Sequence, residues 1–135
     1  MKDQVTSIEQ SKRLIELGVP AEKASMIYQS HYTQGVPKLY AQPYQRNGYP
    51  PKEKIREDVI PAFTVADLLA VLPKVMEDDE GVPFYLNIQY NRKEYSEIKY
   101  KGVYGILWSC FGASLLNNLV EAVDGVVTNG YELTL

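Results

Sequence analysis

The chain has 135 residues and a formal net charge of −3 at pH 7, which fits one domain of ordinary size. Apolar residues make up 45% and charged residues 23%, the composition of a globular rather than a disordered chain. The acidic balance excludes a protein that coats nucleic acid over its whole surface. Cys110 is the single cysteine, which excludes an internal disulfide framework and predicts a reducing, cytoplasmic setting.

Two helices are predicted at the start of the chain. Thr6 and Ser7 are N-cap residues with a glutamate or glutamine three positions later, so a helix is predicted over 7–17. Gly18 suits the left-handed position after its last turn. Pro20 opens a second, shorter helix over 21–26. A short strand is predicted over 26–33, where aromatic residues replace the helical pattern.

Five of the eight prolines fall between Thr33 and Pro61. Each removes a backbone donor and biases its predecessor toward extended backbone, so this segment cannot be a central strand or a long helix. The sequence predicts an edge strand near residues 38–42 within a long Tyr/Pro-rich loop over 33–61. No linker divides the chain, and a single α+β domain over 1–135 is expected.

Regular structure returns at Ile60. Thr64 and Asp67 form a capping pair for a helix over 65–72, and Val75 is assigned to the apolar side of this helix. Pro73 is expected either to end the helix or to kink it. The acidic run over 77–80 is predicted to be a solvated turn. Beyond it the hydrophobic period changes to two, which predicts strands over 83–90 and 95–101 and a third over 103–109. On the first strand Phe84 and Tyr85 are expected to point to opposite sides. On the second, Ile98 and Tyr100 are expected to face the core and Lys99 to face water.

Ser114 caps the last helix, whose apolar residues recur from 115 to 127 and which ends at Gly130. On this helix Asn117 and Asn118 fall on the polar side, facing solvent. The uncharged stretch over 102–120 contains three glycines, two serines and two asparagines. That content disfavours a membrane span, and a buried strand followed by a helix explains it better.

The predicted element order is α-α-β-(β)-α-β-β-β-α. This order indicates an α+β fold, in which one small antiparallel sheet carries the helices on one face.

Three blocks of the sequence resemble a known group of proteins. They are Thr6–Met26, Ile60–Pro73 (IPAFTVADLLAVLP) and Ala113–Val123 (ASLLNNLVEAV). Together they are similar to a group of uncharacterised short proteins from prophage and mobile-element regions of gut bacteria. The resemblance implies a phage-related, bacterial and cytoplasmic origin. It implies no catalytic residue, because the group has no established activity.

The inventory for enzyme chemistry is poor. His31 is the only histidine, which excludes a two-histidine metal site and a His/Cys zinc cluster within one chain. Cys110 and His31 could act as nucleophile and base, but Cys110 lies between aromatic residues at a strand end, where buried inert thiols are common. We therefore expect no catalytic residue, no cofactor, no metal site and no enzyme activity.

The loop from Lys38 to Arg56 has a local charge of +4, since five cations stand against Glu53 alone. Its candidate interaction residues are Tyr40, Tyr44, Arg46, Tyr49, Lys52, Lys54 and Arg56. Three interpretations stay open. The loop contacts an unidentified protein partner, it binds single-stranded nucleic acid, or its tyrosines fold back onto the sheet. The first makes the chain a non-enzymatic protein-interaction module. The oligomeric state is left open, including self-association through the loop or an edge strand.

Overall fold

The computed structural model describes residues 5–29, 37–41, 59–90 and 95–135. The chain divides into two compact units, Met1–Asp67 and Leu68–Leu135. Each unit contains one antiparallel sheet. The single domain expected over residues 1–135 stays a prediction.

The first unit combines helices with a three-stranded sheet. Its elements are helix α1 (Ile8–Glu16), a 3-10 helix (Ala21–Lys23) and strands β1 (Met26–Gln29), β2 (Lys38–Tyr40) and β3 (Val59–Ala62). The strand order is β2-β1-β3, antiparallel throughout. Helix α1 packs against β3. The predicted first helix and edge strand are confirmed, while the second helix is one 3-10 turn.

Local signals explain where α1 begins and ends. The Ser7 hydroxyl accepts from the Gln10 N–H, and the Gln10 side chain accepts from the Ser7 N–H, which completes a capping box. At the other end, Gly18 has a φ of 103°, which residues with a side chain rarely adopt. Both features were predicted, and both are confirmed.

Thr6 ties the start of the chain to the segment that follows β3. Its N–H donates to the Phe63 carbonyl at 2.9 Å, and its hydroxyl accepts from the Phe63 N–H at 3.0 Å. The hydroxyl of Tyr28, on β1, donates to the Thr6 carbonyl at 2.8 Å. Because Thr6 is fully buried, these bonds form out of reach of competing water and fix this corner of the first unit.

Strand β3 was not predicted. Pro61 stands within it opposite Ile27 of β1, and a proline read from sequence alone argues against a strand. Since β3 lies at the edge of its sheet, the missing N–H of Pro61 is tolerated there. All four residues of β3 are buried.

Helix α2 (Val65–Val71) begins in the first unit and ends in the second. Its start has the predicted pair, in which Thr64 and Asp67 exchange bonds between side chain and backbone at 2.9 and 3.1 Å. The second unit continues with β4 (Val75–Glu77), β5 (Pro83–Tyr90), β6 (Ser96–Gly102), β7 (Gly105–Gly112) and helix α3 (Leu115–Thr128). The strand order is β4-β5-β6-β7, also antiparallel.

Two element assignments differ from the structure. Val75 belongs to β4 and not to a continued helix, because α2 ends before Pro73 and the chain then pairs with β5. The strand predicted over 103–109 occupies Gly105–Gly112, since its pairing with β6 begins at Gly102 and Gly105, on either side of a turn. Of the acidic run, Glu77 ends β4, and residues 78–80 form the predicted turn, in which the Asp78 carboxylate accepts from the N–H groups of Glu80 and Val82.

The four-stranded sheet has one face against α3, which packs on β6 and β7. Ile98 and Tyr100 lie on this face, fully buried, as predicted. The Tyr100 ring lies 5.1 Å from the Trp108 ring, and its hydroxyl donates to the Pro73 carbonyl at 2.8 Å. Burial raises the pKa of Tyr100 above its ordinary range, so the phenol stays a neutral donor. We call the opposite side of this sheet the open face.

Gly125 permits a close contact between α3 and this sheet. A Cβ atom at Gly125 would stand 3.1 to 3.3 Å from three atoms of the Trp108 ring, tighter than ordinary van der Waals contact. A glycine at this position lowers the helix propensity of α3. The structure gives the reason, because the indole occupies the space of the missing side chain.

The α+β class is confirmed, and the element order matches roughly. The strands form two antiparallel sheets, whereas the sequence predicted one small sheet. The difference arises because β3, which pairs with β1 in the first sheet, and β4, which pairs with β5 in the second, were not predicted. Each sheet has its own helix, α1 on the first and α3 on the second. Within the described ranges, no helix is long and apolar enough to cross a membrane.

Replacement of Gly125 by alanine tests the contact with Trp108. Alanine gains up to about 1 kcal/mol of helix propensity, but overpacking a core typically costs about 1–3 kcal/mol. We expect Gly125→Ala to lower the free energy of unfolding, measured by urea denaturation. In a Trp108→Phe background the smaller ring leaves room, so the same substitution should become neutral or stabilising. An equal loss in both backgrounds would contradict this explanation.

Candidate functional site

Within the described ranges, the exposed apolar surface is concentrated on the second sheet. Among the described residues, nine large apolar side chains are exposed: Val75, Tyr85, Tyr90, Tyr95, Val103, Tyr104, Ile106, Phe111 and Leu135. All except Leu135 lie on the strands β4 to β7 or immediately beside them. Single exposed apolar residues are ordinary, whereas a concentration on one sheet marks an interaction surface.

Three of these rings surround one concave site, which we call the aromatic depression. It has a volume of about 730 Å³ and is lined by Gln89, Tyr90, Tyr95, Ser96, Glu97 and Phe111. These residues come from the ends of β5 and β7 and from the start of β6. Tyr90 is 67% exposed and Phe111 is 72% exposed, so both rings present large apolar areas to solvent. A partner that covered them would remove that area from water.

The polar part of the aromatic depression is organised around Lys99. Its ammonium lies 2.9 Å from a carboxylate oxygen of Glu97 and donates to the Gln89 side-chain oxygen at 3.1 Å. Lys99 was predicted to face water, but only 9% of it is exposed. The pairing explains this difference, because a lysine with two polar acceptors can lie against the sheet. The charge of Glu97 is therefore largely neutralised within the site.

A second apolar group, the hairpin-tip patch, consists of Val75, Tyr85, Val103, Tyr104 and Ile106. Val75 pairs with Tyr85, Tyr85 with Lys101, and Lys101 with Ile106, so one row crosses all four strands on the open face. Val103 and Tyr104 form the turn between β6 and β7 and are 83% and 90% exposed. Tight hairpin turns ordinarily carry Asn, Asp or Gly, so an apolar pair there is not explained by the turn.

Asn118 anchors α3 beneath the aromatic depression. Its side-chain N–H group donates to the Ser96 hydroxyl at 2.6 Å, the Ser96 carbonyl at 3.0 Å and the Gly112 carbonyl at 3.2 Å. Asn118 was predicted to face solvent, and this was wrong, since only 5% of it is exposed. Helical periodicity placed it on the polar side, but acceptors on β6 and β7 make burial favourable. Its neighbour Asn117 is exposed, as predicted.

Cys110 is half-buried on β7, and its thiol lies 3.4 Å from the Asn118 carbonyl. Burial, and after it the carboxylates of Glu121 and Glu97, raise the pKa of the Cys110 thiol to about 11. A nucleophilic cysteine needs the opposite shift, toward the thiolate. His31, the base considered for Cys110 and not adopted, lies outside the described residues.

Only one of the seven loop residues predicted to form a contact site lies in the described part of the chain. Tyr40, on β2, is half-buried and packs against the buried pair Ile27 and Val59. The other six, Tyr44, Arg46, Tyr49, Lys52, Lys54 and Arg56, lie outside the described residues.

Sequence reasoning missed both apolar groups on the second sheet. Alternation correctly separated Phe84 from Tyr85, yet it does not show where a strand end is left uncovered. One signal was available at the turn. In Gly102-Val103-Tyr104-Gly105 the glycines mark a reversal, and side chains at the tip of a reversal are exposed whatever their polarity.

Comparison of the chain with protein-family models, with curated proteins and with solved structures finds no match. Across the described ranges, no group of three His, Cys, Asp or Glu side chains could hold a metal ion. The aromatic depression and the hairpin-tip patch are the candidate functional surface, because they hold eight of the nine exposed large apolar side chains of the described residues.

The anchoring role of Asn118 can be measured against its neighbour. Asn118→Ala removes the donor from buried acceptors, and an unsatisfied buried polar group costs about 1–3 kcal/mol. We expect a loss of that size in the free energy of unfolding by urea denaturation. Asn117→Ala, on the exposed side of the same turn, should lower it less, because a bond made by an exposed side chain competes with water. Similar losses in both variants would contradict the anchor.

The state of the Cys110 thiol predicts how alkylation by iodoacetamide depends on pH. Because the thiolate reacts, the folded protein should react slowly at neutral pH and speed up as pH rises toward about 11. The unfolded protein in urea should follow the ordinary thiol value of 9.0. Since the folded pKa is raised, the thiol's contribution to stability is present below pH 9 and is lost toward about 11. Matching pH profiles for the two states would contradict the assignment.

Proposed function

We propose that this chain is a non-enzymatic protein-interaction module and that the aromatic depression is its contact surface. The observation that carries the proposal is the concentration of exposed rings around one concavity of about 730 Å³. Aromatic residues dominate the energetics of protein interfaces because each buries a large area at a small cost in side-chain entropy. A half-apolar concavity with few charges suits an apolar side chain of the partner.

The lining of the aromatic depression favours a protein over a nucleic acid. Among its described residues there is no lysine or arginine, and the nearby charge of Lys99 is paired with Glu97. Binding of single strands requires cations that neutralise phosphates along a groove, besides rings that stack on bases. The loop from Lys38 to Arg56 remains a second predicted contact surface, for a protein or for single-stranded nucleic acid.

The remaining parts of the proposal rest on sequence. The similarity of three sequence blocks to prophage and mobile-element proteins favours a phage-related origin in a bacterial host. A lone cysteine favours the cytoplasm. The partner is then a bacterial or phage protein that presents an apolar side chain on its surface.

The test is affinity capture of the tagged protein from bacterial lysate, with and without nuclease, read by mass spectrometry. We expect a partner that survives nuclease and is lost with the double variant Tyr90→Ala and Phe111→Ala. Truncation of an aromatic anchor typically costs about 2 kcal/mol or more, roughly thirtyfold in Kd, which titration of the identified partner would measure.

Two controls separate the surfaces. Leu135→Ala removes an exposed apolar side chain that belongs to no strand and does not line the aromatic depression, and it should leave capture unchanged. The pair Tyr44→Ala and Arg46→Ala tests the loop instead. If the loop pair abolishes capture while the ring pair does not, the aromatic depression is not the contact surface. Capture that disappears with nuclease and weakens steeply with salt would replace the proposal with nucleic-acid binding.

A further inference from the structure

The four sheet edges in the described residues differ in how they resist pairing with another chain. Strand β2 has three residues, follows Pro37 and begins with Lys38, and β3 contains Pro61. Strand β4 has three residues and ends at Glu77. Short length, charge and proline are the usual devices that protect an edge. Each of these three strands carries at least one of them.

Strand β7 lacks all three devices, and its single irregularity is the register shift opposite Tyr100 and Lys101 near its start. It has eight residues, GILWSCFG, with no charged residue and no proline. It pairs with β6 along one side only, and within the described ranges no other strand pairs with it. Its outer side therefore presents a row of backbone N–H and C=O groups, which an extended backbone of matching length would satisfy.

We propose that the outer edge of β7 pairs with β7 of a second copy of this chain, antiparallel about a two-fold axis. Such pairing satisfies the same groups on both copies, because an isologous contact uses one surface twice. Neither strand contributes a charge, so no charge on them loses its hydration. The two four-stranded sheets then form one continuous sheet of eight strands.

The residue sizes along β7 favour this self-pairing. A register irregularity opposite Tyr100 and Lys101 leaves Trp108–Gly112 as the regular part of the strand, with Cys110 at its centre. A two-fold axis at Cys110 sets Ser109 of each copy opposite Phe111 of the other. It likewise sets Trp108 opposite Gly112. Every large side chain then faces a small one, so the pairs fit without displacement.

The same register identifies the substitutions that test it. The double variant Ser109→Glu and Phe111→Glu places like charges directly opposite across the axis, which is destabilising. The double variant Ser109→Lys and Phe111→Lys does the same with the other sign. A mixture of the two variants places each glutamate opposite a lysine. Pairing through β7 predicts that the mixture restores the dimer, which neither variant forms alone.

The experiment measures mass in solution by light scattering after gel filtration, with reductant present so that Cys110 forms no disulfide. We expect twice the chain mass of 15.3 kDa for the wild type. The expected mass of each double variant is 15.3 kDa, with dimer recovered on mixing. Tyr85→Glu and Tyr85→Lys change an exposed position on the inner strand β5, and both should stay dimeric.

Several outcomes would overturn the proposal. These are a wild type that stays monomeric at every concentration, a double variant that dimerises alone, and folded variants that fail to restore the dimer when mixed. Should the variants not fold, hydrogen exchange of the wild type decides instead. Protection of β7 amides must then increase with protein concentration, while β2 and β4 do not change. Phe111 takes part in both proposals, but their failures are distinguishable, since failure of β7 pairing is seen in the mass and failure of the partner contact is seen in capture with Tyr90→Ala.

Discussion

The second unit depends on one buried amide. Ser96 and Gly112 stand opposite each other on β6 and β7, and the Asn118 side chain bonds to both. One helical residue thus fixes the position of α3 across two strands. Because the buried amide cannot bond to water instead, loss of these hydrogen bonds costs free energy. Other positions of the helix are therefore disfavoured. The next pair along the strands, Glu97 and Phe111, lies on the open face and lines the aromatic depression.

Two glycines make this close approach feasible. A Cβ at Gly112 would come within 2.9 Å of the Asn118 side-chain oxygen, and one at Gly125 would meet the Trp108 ring. Glycine weakens the interior of a strand or a helix. At both positions this local cost accompanies a tertiary contact that a larger residue would prevent. Both glycines lie at the contact between α3 and the strands β6 and β7, on the side of the sheet that α3 covers. The apolar residues of the open face receive no cover from that helix.

The helix starts could be predicted because their causes are local. Ser7, Thr64 and Ser114 bond to backbone groups three residues away, so the residues that decide the structure stand together in the sequence. The errors at Asn118, Lys99 and Pro61 have the opposite cause. A polar residue or a proline is assigned to solvent or loop by default. In the fold, each of these residues is accommodated by a strand or a side chain from another part of the sequence. Hydrophobic periodicity does not show which strand or side chain that is.

The candidate surface was not predicted from the sequence, for a related reason. Composition directed attention to a loop rich in tyrosine and cations, whereas exposure of Tyr90 and Phe111 depends on where paired strands end. Val103 and Tyr104 at a hairpin tip and an uncharged edge strand β7 both oppose the habits that keep sheets soluble. Val103 and Tyr104, 83% and 90% exposed, bury little area within the fold. Features that break a local rule without an evident gain in folding are where a functional contact is expected, and the contacts proposed here would supply the missing burial and hydrogen bonds.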